Sequence, residues 1–135
     1  MKLIKISLLS LMILTACSSN SEILKISEPN FTDHSSETNY QIEGATLIHT
    51  IENKEEIDEI ASLIENADAI NEPDLVKQAK PNAIIEIYNQ KENTSKFKRT
   101  IWLASEMVIL KTPSGGEYYQ ISAEQAELLI NNIDI

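Results

Sequence analysis

The chain has little with which to cross-link, bend sharply or stack: one cysteine, three glycines, four prolines and 5% aromatic residues in 135. A single cysteine cannot form an intramolecular disulfide, so folding must rest on an apolar core. So few glycines and prolines exclude a collagen-like or loop-dominated body. Basic residues are also scarce. Eleven Lys and Arg stand against 21 Asp and Glu, for a formal charge of −10. A phosphate backbone would be repelled by such a chain, which excludes nucleic acid as a partner. The length suits one domain with one core, short of the two lobes with which importer lipoproteins close on a substrate.

Reactive chemistry is missing as well. The only histidines, His34 and His49, have no Cys, His or paired carboxylate at ligand spacing. No Gly-x-Ser-x-Gly occurs, and Ser114 in Pro113-Ser-Gly-Gly reads as a turn between strands. The acids Glu52, Glu55, Glu56, Asp58, Glu59 and Glu65 lack the alternating spacing and glycine of a calcium loop, and read as the solvated face of a helix. The sequence therefore predicts no catalytic residue, no metal and no cofactor.

What is present begins at the amino end. Lys2 and Lys5 precede a short apolar run, Ile6 to Leu14, which is too short to span a bilayer and reads as a secretory signal. The run closes on Leu14-Thr15-Ala16-Cys17. An ordinary cleavage site wants small residues at −3 and −1, and a cut before Cys17 puts the bulky Leu14 at −3. An aliphatic residue, two small ones and a cysteine is instead the lipobox arrangement. The reading is a leader over 1–16, recognised through Leu14, Thr15 and Ala16, with Cys17 carrying a thioether-linked diacylglycerol that holds the protein on the extracytoplasmic face of the cell membrane. The plainer alternative is a secreted protein with a free thiol.

Residues 17–44 are rich in Ser, Asn, Thr and acids and read as a lipidated flexible tether. About 20 such residues reach roughly 25 Å. Within them Ile23-Leu-Lys-Ile26 leaves open an edge strand. The ordered domain is expected over 45–135. Ala45 to Ile51 has strand composition, and Asn53 with Glu56 offers a capping-box-like start to a helix whose stripe is Ile57, Ile60, Ala61 and Ile64. Pro73 and Pro81 bracket a loop with one helical turn at Asp74 to Lys77. Asn82 to Asn89 and Phe97 to Ala104 form a hairpin, as do Glu106 to Thr112 and Glu117 to Ile121. Ser122-Ala-Glu-Gln125 then opens a helix carrying Ala126, Leu129, Ile130 and Ile133. The fold class predicted is α+β: an antiparallel sheet of about four to five strands with two amphipathic helices packed on one face.

Strand alternation places Phe97, Arg99, Ile101 and Leu103 on one face and Lys98, Thr100, Trp102 and Ala104 on the other. With Tyr88 and one of Tyr118 or Tyr119, Trp102 makes a candidate partner surface of amphipathic aromatics. The alternative is that Trp102 packs under the 66–81 loop or in the main core.

The lipobox leader, the strand and Ile-rich helix, Pro81-Asn-Ala-Ile-Ile-Glu-Ile, Ile101-Trp-Leu103 and Tyr119-Gln-Ile-Ser122 before a Leu-rich helix together resemble the YhfM-like domain of small lipoproteins from Bacillus and relatives. The resemblance spans about Thr46 to Ile133. Where its members carry an aromatic after the proline, this chain has Ala83. It implies a cell-surface lipoprotein and supplies no catalytic residues. The functional expectation is a membrane-anchored, non-enzymatic binding or interaction module, touching lipid through Cys17 and a protein or peptide partner through its surface. The alternative is an immunity or inhibitor lipoprotein that captures a cationic peptide or enzyme.

Overall fold

Alternating apolar residues on successive strands build one antiparallel sheet. The structure, a computed structural model, describes residues 21–31 and 42–133. Its elements are β1 (Glu22–Phe31), β2 (Ile42–Ile51), α1 (Lys54–Glu65), β3 (Asp68–Ile70), α2 (Asp74–Gln78), β4 (Ala83–Asn89), β5 (Thr94–Leu103), β6 (Met107–Lys111), β7 (Tyr118–Ser122) and α3 (Glu127–Ile133). The strands lie in the order β2-β1-β4-β5-β6-β7-β3. Every neighbouring pair is antiparallel.

Two features correct the sequence expectation. The sheet has seven strands instead of four or five, and three short helices instead of two. One added strand is β3, whose three residues are too few to show a period of two. The other is β1, which arises inside the segment read as tether. It is not an edge strand: it lies between β2 and β4, with Leu24 facing Ile51 on one side and Ile87 on the other. The polar residues of β1 hid this, yet Leu24 and Ile26 are fully buried. The ordered body therefore starts well before Ala45. Past Ser27, which pairs with Ile84, β1 is bonded to β2 alone, the one-sided setting in which Pro29 is tolerated.

One face of the sheet holds the main core. Leu24, Ile26, Ile85, Ile87, Ile101, Val108, Leu110 and Ile121 meet Ile57, Ile60 and Ile64 of α1 and Leu129 of α3. The Asn53 side chain accepts from the Glu56 N–H at 3.1 Å and starts α1. At its end the Asn66 amide donates to the Ser62 carbonyl at 2.9 Å. Leu129 is fully buried, and the chain enters α3 through Ser122, whose hydroxyl accepts from the Gln125 N–H at 3.3 Å.

The remaining helix, α2, lies on the opposite face. There Val76 of α2, Trp102 and Ile109 form a second small core, flanked by Leu75, Ala79, Met107 and Tyr118. Covering both faces explains the near-continuous apolar run of β4, in which Ile84 is buried on one side and Ala83, Ile85 and Ile87 on the other.

Candidate functional site

The register of β5 decides where Trp102 points. Ile101 pairs with Leu110 of the main core, so its neighbour Trp102, paired with Ile109, projects to the second face. It is not exposed there. α2 lies over the ring, which is 4% exposed, and the indole N–H donates to the Ala79 carbonyl at 2.9 Å. The Tyr118 ring tilts against it at 49° with centroids 6.5 Å apart.

Beside this pair a groove of about 570 Å³ opens between α2 and the sheet. Ile42 of β2, Val76, Pro81 and the edge of Trp102 supply its apolar surface, while Thr100, Tyr118, Glu72, Lys77 and Lys111 supply polar groups. The Lys111 ammonium stands 5.7 Å from the Tyr118 ring centroid. The groove offers apolar contact, hydroxyls and two cations beside one carboxylate. That chemistry suits reversible binding.

Trp102, Tyr88 and the two tyrosines, Tyr118 and Tyr119, of which one was expected to join them, are divided. Trp102 and Tyr118 meet at the groove. Tyr119 lies against the main core on the other face, and its hydroxyl donates to the Glu117 carboxylate at 3.0 Å. This bond and the carboxylate's charge raise its pKa above that of an ordinary phenol. Tyr88 pairs with Ser95 at the far end of β5 from Trp102, with the Lys25 ammonium 4.1 Å from its ring centroid and Asn93 at its hydroxyl. No single aromatic patch joins them.

Thr100 and Lys111, which face each other on β5 and β6, are groove residues that sequence reasoning passed over. Alternation from Trp102 was signal enough for Thr100. Glu72, Lys77 and Ile42 had no local signal, because their approach depends on where α2 and β2 pack.

Among the described residues, no group of three His, Cys, Asp or Glu could hold a metal, and no helix is long and apolar enough to cross a membrane. Ser114 is exposed in the β6–β7 turn, which Gly116 closes at φ +64°. His49 is half-buried at the pairing of β2 with Ile26. Leu14, Thr15, Ala16, Cys17 and His34 lie outside the described residues. No family model, no curated protein and no solved structure matches the chain.

Proposed function

We propose that this chain is a lipid-anchored, extracytoplasmic binding module without enzymatic activity. One observation carries the reading: Leu14-Thr15-Ala16-Cys17 closes a basic-then-apolar leader, and Cys17 is the chain's only cysteine. Two acyl chains, at about 0.8 kcal/mol per buried methylene, make such an anchor effectively permanent. The resemblance to YhfM-like lipoproteins points the same way, and the groove beside Trp102 and Tyr118 supplies a surface for a ligand. The test is metabolic labelling with palmitate. Label enters the wild type and not Cys17→Ser; equal labelling of both ends the proposal.

A second reading is favoured by the formal charge of −10. The module captures a cationic peptide or enzyme at the cell surface, steered by long-range attraction. Its association rate with a lysine-rich peptide then falls steeply as salt is added. A rate indifferent to salt removes this second reading and leaves the first.

A further inference from the structure

Ser21, the first described residue, is fixed at one particular end of the sheet. Its carbonyl accepts from the Gln90 N–H at 2.8 Å, at the turn between β4 and β5. Glu22, next in the chain, pairs with Asn89 and forms an ion pair with Lys96 at 3.1 Å. The Cα of Ser21 is four peptide steps from that of Cys17. At ~3.6 Å per residue, even a fully extended chain covers only about 14 Å. The 25 Å of slack that a long tether would give is absent, because β1 takes up most of it.

We infer that the β4–β5 hairpin turn, Asn89 to Lys96, is the membrane-contacting end of the domain, lying against the phospholipid headgroups when Cys17 is acylated. The inference rests on the lipid-anchor reading and adds an orientation to it. Acyl chains in the bilayer hold Cys17 at the interface, and the headgroup layer itself is ~5–7 Å thick on each side. The turn is therefore brought to that layer by covalent geometry.

The hairpin is suited to the position. From Asn89 to Lys96 it carries Lys91 and Lys96 against Glu92, and Glu22 pairs with Lys96, so this end is close to neutral in a chain of formal charge −10. A headgroup surface carrying negative charge repels this end less than it repels the rest of the acidic molecule. The turn is also built to keep its shape: the Glu92 N–H donates to the Asn89 side chain at 3.0 Å, and Asn93 takes the left-handed conformation at φ 55°. The groove benefits from the arrangement. β5 runs from Thr94 beside the turn to Trp102, and at ~3.3 Å per residue that strand holds the groove roughly 25 Å from the headgroups. A stiff hairpin thus provides the standoff expected of a flexible tether.

The acylation of Cys17 makes the test direct, since an introduced cysteine is then the only free thiol. Glu92→Cys, at the turn, and Ser105→Cys, at the opposite end of β5, are each labelled with a fluorescent donor in the intact lipidated protein. Each is inserted into vesicles of equal parts zwitterionic and anionic phospholipid bearing an acceptor on the headgroup. Quenching at position 92 is expected to exceed that at 105 several-fold. Amide exchange in unlabelled protein should likewise slow at 90–93 on vesicles, relative to soluble Cys17→Ser protein, and stay unchanged at 104–106. Equal quenching at both sites, in protein whose mass includes the diacylglyceryl group, overturns the orientation alone. A mass without that group overturns the anchor and the orientation together.

Discussion

The Trp102 indole donates its N–H to the Ala79 carbonyl at 2.9 Å, joining the middle of the sheet to the residue that closes α2. The bond makes Trp102 a structural pin for the wall of the groove. Trp102→Ala is expected to cost about 3–5 kcal/mol, as loss of a buried large aromatic does. Trp102→Phe keeps most of the packing and removes the donor, for a cost nearer 1 kcal/mol. Urea denaturation measures both, and acrylamide should quench the wild-type indole poorly. A Trp102→Ala protein as stable as the wild type would sink this account.

Because β1 is an interior strand, deleting Ser18 to Gln41 leaves the paired edges of both β2 and β4 exposed and removes Leu24 and Ile26 from the core. The shortened protein should show no cooperative thermal melt by circular dichroism. The gentler Leu24→Ala is expected to cost about 2–5 kcal/mol. A sharp melt after the deletion would show that the body closes without β1.

Asn53 fixes the start of α1 through one hydrogen bond to the Glu56 N–H. Asn53→Ala should destabilise by about 1 kcal/mol, and Asn53→Asp should be close to neutral because an aspartate caps equally well. Chemical denaturation of the two variants side by side separates loss of the cap from any effect of altered charge.

Tyr119 gives the expected pH dependence. Its raised pKa means that the fold favours the neutral phenol, which donates to Glu117. The stabilisation is fully present below the ordinary phenol pKa of about 10 and is lost as pH rises through the raised value. In Glu117→Gln the shift should shrink, and one tyrosine should ionise at lower pH than in the wild type. Difference absorbance of tyrosinate reads this directly; superimposable titrations would contradict it.

Local signals in the sequence account for what could be read from it. α1 is announced by its Asn53 cap and its Ile57, Ile60 and Ile64 stripe, which require no knowledge of distant partners. The two faces of β5 follow from alternation, so the side on which Trp102 lies was legible. Its covering was legible too, as the alternative in which Trp102 packs under the 66–81 loop, for α2 and its one buried residue, Val76, lie in that stretch. Ile23 to Ile26 left a strand open at β1, but its length and interior place were illegible. Lys25, Ser27, Glu28, Pro29 and Asn30 give it the composition of a linker, and only its pairing with β2 and β4, distant in sequence, makes it a strand. The groove inherits the same difficulty, since Ile42 reaches it through β2.

β2 forms one margin of the sheet, with Leu47 and Ile48 about half exposed and neither lysine nor proline to discourage a visitor. Its pairing with β1 slips twice, between Ile26 and Ser27 and between Asn30 and Phe31. Each slip breaks the ladder locally, and only Gly44 to Leu47 remain in unbroken register between them. Further copies of the chain would therefore find no long straight margin on which to zip together, so the irregularities of β2 work against growth into ribbons.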